Sequence, residues 1–166
     1  MSVAIRSAAG ADLDSVLAIE RESFSDPWSR ASFSQLLDRP DALFAVAVTR
    51  DTRAGGRASR DGAPRGVAGY VVAWFVVDEA EIANLAVAGA HRRLGVGAAL
   101  LDAALAAAHR RGARTVYLEV RDSNRAAREL YASRGFTQVA RRRNYYRRPV
   151  EDALVMSCDL RAAHAR

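Results

Sequence analysis

The segment from Glu81 to Gly112 constrains the fold most, because it reads as a strand, a glycine-containing loop and a helix in direct succession. The predicted strand is Glu81–Val87, and the predicted helix begins at Val96 and is ended by Gly112. The loop between them is Arg92-Arg93-Leu94-Gly95-Val96-Gly97-Ala98. A helix N-terminus carries unpaired backbone N–H groups and about half a positive charge. This succession therefore predicts an anion-binding loop.

Apolar periodicity and turn residues predict strands and helices on both sides of this segment. The other predicted strands are 3–6, 43–48, 67–77, 115–120, 136–146 and 153–160, and the other predicted helices are 12–22, 29–39 and 124–134. Strands alternate with helices in the middle of the chain, and a hairpin ends it. We therefore expect an α/β fold, with a mixed sheet covered by helices on both faces.

The length and composition favour one ordinary globular domain over residues 1–166. The chain has 166 residues, of which 50% are hydrophobic and 27% are charged. Cys158 is the single cysteine, the N-terminus lacks a signal-peptide pattern, and no apolar run approaches the ~20 residues of a membrane span. We expect a cytoplasmic protein without a membrane partner, as a monomer or weak dimer.

The basic character of the chain comes entirely from arginine. The formal net charge is +6, and lysine is absent. Because alanine is also abundant, we interpret the arginine content mainly as a composition bias, and we expect no direct nucleic-acid binding. A basic surface would still favour an anionic cofactor such as coenzyme A, or a partner embedded in ribosomal RNA.

Residues 50–66 interrupt the pattern between two predicted strands. The segment contains Gly55-Gly56, Gly62, Pro64 and several arginines, and it shows no apolar periodicity. We predict a flexible loop insertion, and an arginine-rich docking arm is the alternative reading. Residues 161–166 are predicted to form a tail.

Gly95 and Gly97 are suited to phosphate binding, because they let the backbone approach an anion without a side chain in the way. Arg92 and Arg93 add positive charge at the rim. A Walker loop is excluded because there is no lysine, and a dinucleotide fingerprint needs a third glycine where Leu100 stands. The two glycines alone are also compatible with a simple turn and a close helix contact.

Arg92-x-x-Gly95-x-Gly97 resembles the Q/R-x-x-G-x-G/A signature of the Gcn5-related N-acetyltransferases. The resemblance implies a mostly antiparallel mixed sheet that is splayed at the cofactor site. It also implies acetyl-CoA as co-substrate, with its pyrophosphate on the backbone amides of residues 92–98. The backbone groups of Leu85, Ala86 and Val87 would pair with the pantetheine arm and polarise the acetyl carbonyl.

Within this superfamily the chain most resembles the bacterial ribosomal-protein-alanine N-acetyltransferases, over nearly its whole length. The segments that carry this resemblance are Pro27-Trp28-Ser29, Asp78-Glu79-Ala80, Leu85-Ala86-Val87, Leu118-Glu119-Val120-Arg121, Ser123-Asn124, Leu130-Tyr131, Gly135-Phe136, Arg143-Asn144-Tyr145-Tyr146 and Glu151-Asp152-Ala153. The clearest departure is the 50–66 insertion, which that branch usually replaces with a tight turn.

Glu119 and Tyr131 match the general base and the general acid of the resembled branch. By pattern alone, Glu119 in its apolar strand is either a carboxylate of raised pKa or one paired with Arg121 or another arginine. Tyr131 could equally be a helix residue that packs beside Phe136. Asn124 can cap its helix and also present an amide to the pantetheine arm.

Acceptor binding is assigned to Trp28 and to Tyr145 and Tyr146. Trp28 could also be only a core anchor, and the two adjacent tyrosines are expected to point to opposite faces of a strand, so that at most one faces the acceptor groove. The three histidines, His91, His109 and His164, have no metal-ligand spacing with one another or with Cys158. We expect no metal.

The resemblance implies acetylation of the N-terminal amine, in particular of alanine, on a ribosomal protein. An alternative keeps this chemistry but uses small amines, lysine side chains or broader protein N-termini as acceptors. A third hypothesis is a non-catalytic RNA-binding or ribosome-binding module. It predicts that catalytic groups are missing, whereas Glu119, Tyr131 and the glycine loop are present.

Overall fold

Seven strands and four α-helices make up the part of the chain that the structure, a computed structural model, describes: residues 2–49 and 66–161. The strands are β1 Val3–Ser7, β2 Ala42–Thr49, β3 Val67–Val76, β4 Glu79–Val87, β5 Thr115–Arg121, β6 Thr137–Arg147 and β7 Val150–Asp159. The helices are α1 Leu13–Ser23, α2 Arg30–Leu36, α3 Val96–Arg110 and α4 Arg125–Ser133. The predicted 50–66 loop lies outside the described residues except for Gly66, and so does the tail beyond Arg161.

The strands are hydrogen-bonded in the order β1-β2-β3-β4-β5-β7-β6. β1 with β2, β5 with β7, and β6 with β7 are antiparallel pairs, whereas β4 runs parallel to β5 from Glu79–Thr115 to Ile82–Leu118. The predicted mixed, mostly antiparallel α/β fold is confirmed.

The chain forms two compact units. The first comprises Met1–Val72 and Asn84–Ala103, and the second comprises Ala73–Ala83 and Ala104–Arg166. Strands β3 and β4 contribute to both units. The assignment of the whole chain to one domain stays a prediction.

Glu20 is a buried carboxylate in the apolar core of the first unit. It lies on the inward face of α1, one turn after Val16, and its exposed fraction is 1%. Its oxygens accept hydrogen bonds from the Tyr70 hydroxyl, from Asn84 Nδ2 at 2.9 and 3.1 Å, and from the Trp28 backbone N–H at 3.0 Å. One side chain therefore ties α1 to β3, to β4 and to the segment before α2.

Helix α2 is shorter than predicted and ends at Leu36 instead of Arg39. The Leu37 N–H donates to the Ser34 carbonyl at 3.3 Å, and the Arg39 N–H donates to the Leu36 carbonyl at 3.3 Å. These three-residue bonds tighten the chain into turns, which replaces the last helical turn before Pro40. At the other end, the predicted cap is present, because the Ser29 side chain accepts from the Ser32 N–H.

Gly69 lies where β3 passes very close to β4. A Cβ atom at this position would stand 2.7 Å from the Ala86 carbonyl oxygen and 3.0 Å from Cδ1 of Leu100. Because the first contact is with backbone, any side chain at position 69 would displace β4 next to Leu85–Val87.

Strand β5 divides its side chains between the two faces of the sheet in the second unit. Val116, Leu118 and Val120 are buried, with exposed fractions of 1%, 1% and 5%. Tyr117, Glu119 and Arg121 alternate with them and are only partly buried. The alternation therefore directs Glu119 away from the core.

The β6–β7 hairpin is tighter than predicted, because β7 begins at Val150 instead of Ala153. The acidic residues Glu151 and Asp152 belong to the strand, and both side chains accept hydrogen bonds: Asp152 Oδ1 from the Asn144 N–H at 2.9 Å and Glu151 Oε1 from the Ser123 N–H at 2.6 Å. A register shift lies between Arg142 and Tyr146, where Asn144 has a φ of 51°.

Candidate active site

The arginine-glycine loop of the first unit is built from two left-handed residues followed by the start of α3. Arg93 has a φ of 62° and Gly95 a φ of 83°. The left-handed conformation costs an arginine about 1–2 kcal/mol. Residues with backbone strain of this size are concentrated at functional sites. The Ala99 N–H makes the first intrahelical bond, to the Gly95 carbonyl at 3.0 Å. The N–H groups of residues 96–98 precede that bond and can therefore serve an anion.

Arg92 is held back toward β4 by its own contacts. Its Nε donates to the Val87 carbonyl at 3.2 Å, and its Nη2 lies 3.9 Å from Glu22 Oε1. Glu22 also accepts from the Gly89 N–H at 3.0 Å, so this carboxylate fixes the chain before the loop. Nothing in the sequence pattern of α1 distinguishes Glu22 from a solvated acidic residue.

Leu85, Ala86 and Val87 continue β4 beyond the stretch whose register pairs with β5. Ala86 is buried, whereas Leu85 and Val87 are partly exposed.

In the same unit, the Trp28 ring packs on Phe33, with ring centroids 5.4 Å apart. Trp28 is therefore at least a core anchor.

Glu119 stands in a cleft of the second unit and is paired with an arginine, although not with the adjacent Arg121. Arg142 Nε lies 3.0 Å from Glu119 Oε1, and interaction with the same carboxylate raises the pKa of Tyr145. Arg121 pairs instead with Glu151 at 3.2 Å and stacks over the Tyr146 ring at 4.1 Å. The Glu119 side chain remains 22% exposed, so the carboxylate is reachable from solvent.

The cleft has a volume of about 240 Å³ and is open to solvent. Its lining combines aromatic and apolar groups with acidic and basic ones: Trp74, Val76, Glu79, Ala80, Glu81, Tyr117, Leu118, Glu119, Arg142 and Val155. The pKa of Glu81 is raised, first by its partial burial and then by the negative charge of Glu119. The sequence carries no signal for Glu81, because only the parallel register of β4 and β5 brings it beside Glu119.

Tyr145 and Tyr146 both interact with Glu119, whereas strand alternation led us to expect that at most one of them faces the acceptor groove. The bulge at Asn144 interrupts the alternation. Interaction with Glu119 raises the pKa of Tyr145, and the Glu119 charge also raises the pKa of Tyr146, after the larger effect of burial. The two rings are 5.1 Å apart in an edge-to-face arrangement, so both tyrosines lie near Glu119.

Tyr131 on α4 is buried, with 7% of its surface exposed, and its ring lies 5.8 Å from that of Phe136. Burial, followed by the neighbouring Tyr146, raises the pKa of Tyr131 to about 12. The phenol therefore stays protonated throughout the neutral range.

At the start of α4, the Asn124 side chain accepts from the Ala127 N–H at 3.2 Å, which confirms its predicted capping role.

Among residues 2–49 and 66–161, no group of three or more histidine, cysteine, aspartate or glutamate side chains is arranged to hold a metal ion. The expectation of a metal-free site stays a prediction. No helix in the same described ranges has both the length and the apolar character needed to cross a bilayer.

Comparison with known proteins gives a consistent result. The profile of the acetyltransferase (GNAT) family matches residues 13–136. The [ribosomal protein bS18]-alanine N-acetyltransferase of Haemophilus ducreyi is 38% identical over 150 residues, 88% of this chain and 92% of that protein. The Escherichia coli enzyme of the same name is 33% identical over 150 residues, 88% and 90% of the two chains. The crystal structure of the E. coli ribosomal-protein-S18-alanine N-acetyltransferase superimposes with a TM-score of 0.77, at 32% identity, over 96% of this chain and 94% of that one.

Proposed function

Because the chain belongs to the acetyltransferase (GNAT) family, we propose that it acetylates the N-terminal alanine of ribosomal protein bS18, with acetyl-CoA as co-substrate. The reaction class follows from the family, and the acceptor is the one that the relatives are named for. The structural observation that carries the proposal is the Glu119 carboxylate, which stands in an open cleft and pairs with Arg142. An acceptor of this kind places the reaction in the cytoplasm.

The residues of the first unit suit acetyl-CoA. The first-turn N–H groups of α3 would bind its pyrophosphate, with charge from Arg92 and Arg93 at the rim. The backbone of Leu85–Val87 would hold the pantetheine arm. For the second unit, described by itself, the proposal is that the Asn124 amide takes part in cofactor binding. When bound, acetyl-CoA supplies the activated acetyl thioester.

In the second unit, Glu119 is proposed as the general base. An N-terminal α-amino group has a pKa of about 8, so a fraction of it is already neutral at pH 7. The base therefore has to deprotonate only the remaining ammonium form. Glu119 Oε would accept the ammonium proton, which leaves the lone pair of the nitrogen free. Tyr145 and Tyr146 of this unit are proposed to bind the acceptor peptide. For the first unit, described by itself, Trp28 is proposed as an acceptor-binding residue.

Tyr131 is proposed as the general acid. With a pKa of about 12, its hydroxyl retains its proton at neutral pH and can offer it to a leaving thiolate. Its ring is buried and packs on Phe136, which limits the movement of the side chain.

A panel of acceptors tests the proposed function. It would contain a peptide with the N-terminus of bS18, the same peptide with its amine already acetylated, an N-terminally blocked lysine peptide, and small amines. We expect thiol release from acetyl-CoA, and a mass gain of one acetyl group, only with the free alanine amine. No modification of any alanine-starting peptide would refute the proposal, and equal rates on the blocked lysine peptide would favour the broader acceptor range.

Gly95→Ala is expected to raise the KM for acetyl-CoA about tenfold, with a smaller effect on the KM for peptide. A β-carbon at a φ of 83° costs about 1–2 kcal/mol, which the loop can relieve only by moving its N–H groups. Steady-state kinetics with each substrate varied in turn would measure this.

Gly112→Ala is the matched control for Gly95→Ala. Gly112 has a φ of 81°, and, as at Gly95, a Cβ would meet nothing within 4 Å. It follows the C-terminal end of α3 and has no proposed role in cofactor binding. Gly112→Ala should therefore lower the melting temperature similarly and leave the KM for acetyl-CoA unchanged. An equal rise in KM in both variants would contradict the role of the loop.

A further inference from the structure

Glu81 and Glu119 lie on the same face of the sheet in the second unit. The Cα of Glu81 on β4 is opposite that of Tyr117 on β5, and Glu119 follows Tyr117 by two residues. Register partners, and residues two apart on one strand, project to the same face. Both carboxylates accordingly line the same cleft.

The two carboxylates interact with each other and with one cation. The charge of Glu119 raises the pKa of Glu81, after the larger effect of partial burial, and the charge of Arg142 opposes this shift. Arg142 comes from β6 and also approaches the Tyr145 ring, with its guanidinium carbon 5.7 Å from the ring centroid. Two acidic groups from neighbouring strands therefore share a single guanidinium in the cleft.

The Arg142 guanidinium can be displaced from its position beside the two carboxylates. Its side chain is 58% exposed, and an exposed ion pair contributes at most about 1 kcal/mol to stability. A guanidinium offers N–H donors and no acceptor, so Arg142 is not a candidate base or nucleophile. A ligand with the same charge and with N–H donors could take its place at little cost.

We infer that Glu81 is a second acceptor-binding residue, which together with Glu119 binds the protonated amine of the acceptor, and that Arg142 holds this cation position until the acceptor arrives. The inference rests on the proposed function, because the acceptor is the substrate of that reaction. The ammonium enters with three N–H donors, Glu119 takes one proton from it, and the neutral amine stays bonded to Glu81. The amine nitrogen would then bond to the acetyl carbon as the C–S bond breaks. Of the two protons that the nitrogen loses, the one on Glu119 leaves to solvent and the other balances the proton that Tyr131 gives to the thiolate.

The test measures binding, which keeps it independent of catalysis. Two peptides would be titrated calorimetrically into the full-length protein saturated with coenzyme A: one starts with alanine, and its desamino counterpart lacks only the amine. We expect wild type to bind the amine peptide about tenfold more tightly, as one close charge pair allows. Glu81→Gln should reduce this preference to less than about threefold, and Arg142→Gln should tighten binding of the amine peptide.

Glu129→Gln is the control for the loss of one negative charge. Glu129 is an exposed residue of α4 that pairs with Arg125, and its side chain is 73% exposed. This variant should keep the full preference for the amine.

Three results would overturn the inference: no preference for the amine in wild type, an unchanged preference in Glu81→Gln, or weaker amine binding in Arg142→Gln. If wild type acetylates the alanine peptide but Glu81→Gln keeps the full preference for the amine peptide, only this inference fails. If the acceptor panel gives no acetylation at all, the proposed function fails instead.

Discussion

Replacing Glu119 by glutamine is expected to lower kcat for acetyl transfer to an alanine-starting peptide by about 10²–10⁴-fold, the usual contribution of a general base. The amide keeps the shape of the side chain and can still accept a hydrogen bond, but it cannot take up a proton. The loss should therefore fall on kcat more than on the KM for acetyl-CoA. Thiol release at saturating peptide would measure it.

The pH dependence separates a lost base from a distorted site. Above a pH of about 8 the α-amino group is increasingly neutral without help, so the deficit of Glu119→Gln should shrink as the pH rises. A deficit that stays constant up to pH ~9.5 would indicate distortion instead of a missing base. Glu129→Gln again serves as the control and should retain the wild-type rate. Equal rates in Glu119→Gln and wild type would rule out Glu119 as the base.

Glu20→Ala is expected to lower the free energy of unfolding by about 3–5 kcal/mol, since it leaves buried donors without an acceptor. Glu20 is 1% exposed and accepts from the Tyr70 hydroxyl, from Asn84 Nδ2 and from the Trp28 N–H. Removing the carboxylate opens a cavity and also leaves these polar groups unpaired in the core. Urea denaturation followed by circular dichroism would give the difference.

Tyr70→Phe is the matched comparison for Glu20→Ala. It removes one donor of the same cluster and keeps the ring that packs against Phe33 at 5.5 Å. Its expected cost is about 0.5–1.5 kcal/mol, the net value of one hydrogen bond. If Glu20→Ala cost no more than Tyr70→Phe, Glu20 would not organise the cluster as described.

The local elements of the fold could be predicted because their signals lie within a few residues. Ser29 and Asn124 indicate the starts of the helices that they cap, and α3 ends shortly before Gly112, close to where the pattern predicts. The left-handed conformation of Gly95 is likewise expected from the residue type. The prediction for α2 was too long, because the choice between a final helical turn and tighter turns depends on small energy differences.

The surroundings of Glu119 could not be predicted from the sequence. The resemblance selected Glu119, but its partners Glu81 and Arg142 come from β4 and β6, and only the register of the sheet brings them together. Registers depend on packing between distant segments, for which one sequence carries no local signal. The sequence does not predict the left-handed conformation of Arg93 either, since arginine has no preference for it.

The bulge at Asn144 also determines how this hairpin can change its length. From Arg142 to Tyr146, β6 advances four residues while β7 advances two, from Ala153 to Glu151, so β6 carries two extra residues and its side chains keep the same faces on both sides of the bulge. Deleting one residue there would make the excess odd, and the side chains on one side of the deletion would exchange faces relative to those on the other. Single-residue insertions and deletions between Arg142 and Tyr146 should therefore be tolerated far less well by the acceptor site than changes in the turn at Arg148-Pro149.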